Sequence, residues 1–153
     1  MHLRGHKAQH QKPLPRLLYW SVTLLGVFWA LPLTLIGIVL ALPILAWRGH
    51  VYLVRESTPA LLVHGPFADY LLARHPFGAM SAMAIGHIVV ADQQTLTKQI
   101  LTHELAHVGQ AARWGIVFPF AYLASSAWAA LRGRDAYWHN IFEIAARNAE
   151  KHG

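Results

Sequence analysis

Residues 17–47 contain no Asp, Glu, Lys, Arg or His. The run exceeds the roughly 20 residues that cross a bilayer core, and as one straight helix it would measure about 46 Å. Pro32 and Pro43 interrupt it. The pattern therefore predicts a membrane anchor, either one kinked span or two short arms folded into a re-entrant hairpin. Tyr19 and Trp20 at one end and Trp47 at the other stand where an interfacial belt would place them. Arg4, Lys7, Lys12 and Arg16 precede the run, and the first acidic residue of the chain is Glu56. That bias keeps the basic leader, residues 1–16, in the cytoplasm and favours the single span, although Arg48 and Arg55 pull toward the hairpin. A cleavable signal peptide fits less well, because the run is too long for its apolar region and no small-x-small site follows.

Beyond the anchor the pattern shortens and mixes. Residues 51–55 and 60–64 read as strands separated by the turn-prone Glu56-Ser57-Thr58-Pro59. Residues 67–74 read as a short helix ending near His75-Pro76, and residues 87–92 as a β-branched strand that His87 opens. From Thr95 to Trp114 the period is helical. Leu101, Leu105, Val108 and Ala112 follow i, i+4, i+7, i+11, and His103, His107 and Gln110 occupy the opposite face. Asn140 opens a second helix that packs Phe142, Ala145, Ala146 and Ala149. Strands first and helices later predict an α+β domain over residues 48–153.

Composition narrows the partners. Hydrophobic residues make up 55% of the 153 and charged ones only 13%, with a net charge of +6. A soluble domain carries roughly 25% charged residues. No basic stripe interleaved with aromatics is present, so the charge points to anionic lipid headgroups rather than nucleic acid. The absence of cysteine removes disulfides and thiolate metal sites.

The chemistry lies in His103-Glu104-Leu105-Ala106-His107. Residues four apart sit about 40° apart around a helix, so both imidazoles reach one ion. The intervening Glu is carried beside that ion, where it can take a proton from a water. With 11 histidines, chance pairs are common; the amphipathic frame around this pair sets it apart. A catalytic zinc needs a third protein ligand. Downstream candidates are Asp135, His139, Glu143, Glu150 and His152. Glu143 is the first choice, on a helix able to face the pair, with Glu150 in reserve at i+7. The same Glu143 also fits a capping box with Asn140, in which it would merely start the helix. Arg147, one turn on, can orient the Glu143 carboxylate or form a surface ion pair.

His103-Glu104-x-x-His107-x-x-Gln110 followed by Tyr137-Trp138-His139-Asn140-Ile141-Phe142-Glu143 resembles small, membrane-associated, gluzincin-type zinc metallopeptidase-like proteins of bacteria. Those carry Pro where this chain has Ile141. The resemblance covers roughly residues 87–146. It implies a minimal zincin-like fold, a small sheet packed on the HExxH helix, with Glu143 as third ligand and a bacterial inner membrane as location.

The expectation is a membrane-anchored zinc metallopeptidase acting on a peptide or protein substrate. His103, His107 and Glu143 hold Zn²⁺, and Glu104 is the general base. Tyr137 or His139 serves the oxyanion, while Gln110 and Asn140 support the ligands. An extended peptide would add to the His87 strand. Two alternatives stand: a non-catalytic zinc-binding membrane scaffold with His139 or His87 as a further ligand, and a zinc hydrolase of lipid or cell-wall amides. A His-His-carboxylate set also suits iron. Residues 115–131 are apolar enough to tempt a second span. His107 and Glu143 flank them and must meet, so they are expected to dock on or re-enter the membrane rather than cross it.

Overall fold

The computed structural model describes residues 16–56, 58–76 and 78–151. The basic leader, apart from Arg16, and the candidate ligand His152 lie outside the described residues. The chain is mixed α+β. Helices α1 (Arg16–Trp29) and α2 (Leu31–Ala46) lead into strands β1 (His50–Val54) and β2 (Ala60–His64). Helix α3 (Pro66–Ala73) and strands β3 (Ala82–Ile85) and β4 (Ile88–Ala91) follow. The metal-motif helix α4 (Lys98–Trp114) continues through a 3-10 turn, Gly115–Val117, into α5 (Phe118–Leu131), and α6 (Ile141–Glu150) closes the fold.

The four strands form one mixed sheet in the order β1-β2-β4-β3. β1/β2 and β3/β4 are antiparallel, and β2/β4 is parallel. Because side chains alternate, the sheet has two buried faces. One packs Val63, Ile88 and Val90 against Ala41 and Ile44 of α2 and Ala68 and Leu72 of α3. The other packs Ala60 and Val89 against Leu105 and Val108 of α4, with Leu101 alongside. The apolar stripe foreseen on α4 is thus its sheet-facing side, and the histidine face is left for α6.

The apolar run breaks at a single residue, Ala30, whose N–H still donates to Gly26 O (2.9 Å) while Thr34 N–H donates to Ala30 O (2.9 Å). Helical bonding carried across the break makes α1 and α2 one bent rod. Its inner side is a stripe of small residues that lets other backbone approach. A Cβ on Gly37 would lie 2.6 Å from Ile85 O and 2.8 Å from Ile88 Cβ. Gly86, at φ +60°, turns the β3–β4 hairpin against Thr34. At the other end Gly115 (φ +56°) ends α4 and seats the Trp29 indole over its backbone. Residues 98–131 are long and apolar enough to cross a membrane by length and composition. The turn at Gly115, however, separates α4, with its buried polar face, from the apolar α5.

Two strand expectations change. β3, Ala-Met-Ala-Ile, was not foreseen, because it has neither alternation nor a β-branched residue before Ile85. Its pairing with β4 places β4 in the sheet interior, so the His87 strand has no free edge to accept a peptide. The edges are β1 and β3. His87 itself occupies the hairpin turn rather than a cleft. It is buried, its N–H donates to Thr34 Oγ1 (3.2 Å), and its Nδ1 also bonds that hydroxyl (3.2 Å). Burial lowers its pKa.

Substituting Gly37→Val drives two methyls into β3–β4 backbone. The expected cost is about 1–3 kcal/mol of stability, read as a lowered denaturation midpoint; an unchanged midpoint would mean α2 does not pack on the sheet.

Candidate metal centre

Helix α4 starts cleanly because Thr97 Oγ1 accepts the Ile100 N–H (3.2 Å). Two turns later it presents His103 and His107, both buried, beside one another. Helix α6 starts on Asn140, whose Oδ1 accepts the Phe142 N–H (2.9 Å). The Asn140 N–H donates to Tyr137 O (3.1 Å), so the reciprocal half of a capping box is not formed. Glu143 turns instead toward the histidines and is 3% exposed. Its Oε2 lies 3.2 Å from His103 Nε2 and its Oε1 lies 3.2 Å from His107 Nε2. The two Nε2 atoms are 3.1 Å apart. One donor atom from each of the three residues falls within 4.8 Å of the others.

The proton inventory gives this cluster its meaning. Gln110 Nε2 donates to Phe142 O (3.0 Å), which fixes the amide orientation and leaves its Oε1 facing His107 Nδ1 (2.8 Å). His107 must therefore carry its proton on Nδ1. His103 Nδ1 meets Glu150 Oε1 at 2.5 Å, so its proton belongs there too. Neutral imidazoles held this way aim both Nε2 lone pairs at the Glu143 carboxylate, whose Oε2 has no hydrogen-bond donor. Buried acceptors facing acceptors repel unless a cation lies among them. The residues fit a metal ion, with each imidazole fixed through its far nitrogen. A proton fills the same need in the metal-free protein. Burial lowers the His103 pKa, but hydrogen bonds to Glu143 and Glu150 and the nearby carboxylates outweigh it and raise the value overall. Glu143 is held well below the ordinary carboxylate range, because its imidazole and Tyr122 hydrogen bonds outweigh its burial.

Glu104 is buried next to the pair, and burial raises its pKa against the lowering effect of the histidines and of the Ala84 backbone N–H. Ala84 lies on β3, opposite Val89. In a two-residue hairpin the Ile85/Ile88 pair exchanges hydrogen bonds, so the next pair does not, and the Ala84 amide points out from the free edge. That edge adjoins Glu104.

The other expected residues separate. Glu150 holds His103 from behind and is not a third ligand in this arrangement. Arg147 NH1 lies 3.8 Å from Glu143 Oε2, while NH2 donates to Trp138 O (2.6 Å) and the guanidinium sits 4.6 Å from the Trp138 ring centroid. Tyr137 is beside the site, its hydroxyl pushed up to about 12 by burial and the Glu143 charge. Asp135 serves a turn, accepting the Tyr137 and Trp138 N–H groups. His139 is exposed in the α5–α6 loop and is not part of the converging group.

One participant was missed. Tyr122 of α5 donates its hydroxyl to Glu143 Oε1 (2.7 Å). Its neighbours on the helix face also serve α6: Ser126 Oγ and Tyr122 O accept from Asn140 Nδ2, and Ser125 Oγ accepts the Ile141 N–H. The signal was present, since Tyr122, Ser125 and Ser126 follow i, i+3, i+4 in an otherwise apolar segment.

Comparisons of the chain with protein-family models, with curated proteins and with solved structures found no match.

Two outcomes test the centre. Glu150→Ala frees the far nitrogen of His103 and should weaken metal binding about 10–100-fold, while Glu143→Ala should abolish it; chelator competition measures both. Because the raised His103 must lose its proton to bind a metal, apparent affinity should fall by about tenfold per pH unit below its pKa for each proton displaced. Competition titrations across neutral pH read that slope, and a flat profile would place His103 outside the ligand set.

Proposed function

We propose that the protein is a membrane-associated, zinc-dependent metallopeptidase. The observation that carries this reading is the convergence of buried His103, His107 and Glu143 on one point, with Glu143 Oε2 left without a hydrogen-bond donor. Glu104 stands beside the pocket, next to an open sheet edge. When bound, zinc supplies a Lewis acid and lowers the pKa of water toward neutrality. The rest is performed by the chain. Glu104, its pKa raised by burial, is poised to accept a proton from the attacking water and return it to the leaving amine. The edge of β3, with no further strand on it among the described residues, offers an extended peptide backbone groups other than the Ala84 amide, which Glu104 holds, replacing the β4 edge anticipated from sequence. Tyr122 holds the Glu143 carboxylate through its hydroxyl, and Tyr137 beside it is the candidate donor to a developing oxyanion. The resemblance to small gluzincin-type proteins supports the same reading.

Association with lipid rests on the exposed apolar faces of α1, α2 and α5, where Phe28, Val39, Leu42, Phe120, Leu123 and Leu131 are each more than half exposed. Apolar surface so close to the centre also suits a hydrolase of lipid-linked amides.

Glu104→Gln decides the matter. It should keep full metal content while peptide hydrolysis falls by about 10²–10⁴-fold. Metal bound at full occupancy with no hydrolysis of any peptide by the wild-type protein would favour a zinc-binding scaffold, and cleavage of lipid-linked amides alone would redirect the substrate class.

A further inference from the structure

The apolar rod is placed where it cannot cross a bilayer without taking the sheet with it. Its inner stripe, Gly26, Ala30, Leu33, Gly37, Ala41 and Ile44, follows a helical period along both arms. Thr34 meets the β3–β4 turn, Gly37 meets Ile85 and Ile88, and Ala41 and Ile44 share a core with Val63 and Val90. From Thr34 to Ile44, α2 is therefore backed by a sheet whose two edges, β1 and β3, carry no further strand among the described residues. Open sheet edges are not tolerated in hydrocarbon, where each unpaired backbone group costs several kcal/mol. That removes α2 as a transmembrane arm.

Helix α1 fares no better. Gly26 packs on the backbone of Ala112, which sets the exposed Arg113 beside the inner half of α1. A crossing through α1 would bring that arginine into the bilayer interior.

The opposite side of the rod is a second stripe with the same period: Leu24, Phe28, Leu31, Leu35, Val39 and Leu42 are all exposed. The rod also abuts the next apolar element, since Trp29 covers Gly115 and, on the inner side, Phe118 packs on Ala30 and Leu33. Trp47 and Arg48 are exposed at its end. No acidic residue precedes Glu56, while Arg4, Lys7, Lys12, Arg16 and Arg48 do. A long apolar stripe edged by an aromatic and by cations alone is complementary to an anionic lipid leaflet.

We propose that the protein is monotopic, with the bent α1–α2 rod lying in the plane of one leaflet and the metal centre on the same side as the N-terminus. This rests on the membrane reading above and replaces the spanning anchor expected from sequence.

The cysteine-free chain suits a direct test. Single substitutions Lys7→Cys, Gln94→Cys and Arg134→Cys are expressed in a bacterial host and probed with a membrane-impermeant maleimide in intact spheroplasts and in inverted vesicles. All three should label in inverted vesicles and lose labelling in spheroplasts. Leu35→Cys should resist that reagent in both and react with a lipid-soluble one. Labelling of Lys7→Cys and Gln94→Cys from opposite faces would overturn the in-plane arrangement while leaving membrane association intact. Failure of the wild-type protein to float with phosphatidylglycerol vesicles would overturn the membrane reading itself, and this inference with it.

Discussion

Two imidazole lone pairs and a carboxylate, all turned inward and nearly closed to water, repel one another unless positive charge lies among them. Much of the fold serves that constraint. Gln110 and Glu150 hold the outward nitrogens, so neither ring can relieve the repulsion by flipping. Asn140 and Ser125 bind the start of α6, which frees Glu143 from capping duty and fixes its approach. Gln110 also reaches Phe142 O, tying the helix that carries the histidine pair to the helix that carries Glu143. A proton or a metal ion can supply that charge.

Local chemistry was the legible part of the sequence. The HExxH helix could be read because its stripe of Leu and Val repeats at helical spacing while the polar residues repeat opposite. The start of α6 was legible in Asn140, a residue that caps helices by itself. Glu143 stood between two roles, and only the third dimension resolves them, because a capping carboxylate and a converging one share the same spacing. β3 was illegible for a physical reason. Ala82-Met83-Ala84-Ile85 has no strand preference of its own and becomes a strand because β4 offers it a ladder.

Hydropathy averages over helix faces in two places. Between residues 17 and 47 it registers an unbroken apolar run. The decisive information is the placement of glycine and alanine at 26, 30, 37 and 41, which marks one side of the rod for contact with protein backbone. Between 115 and 131 it registers a membrane element and passes over Tyr122, Ser125 and Ser126. Those three form the face that α6 needs. A helix can be apolar on average and still carry the polar contact on which a site depends.

The two apolar segments touch. Trp29 sits on Gly115, where α4 gives way to α5, and Phe118 fills the space between Ala30, Leu33 and Ala111. Four residues beyond Phe118, one helical turn, Tyr122 touches the ligand carboxylate. Phe118 also lies against the rings of His107, Tyr122 and Phe142, with centroids 5.3–6.3 Å apart. Close-packed aromatic contacts of this kind transmit displacement rather than absorb it. Apolar surface that rests on the rod therefore abuts the groups that set Glu143, so the rod and α5 are part of the wall of the centre.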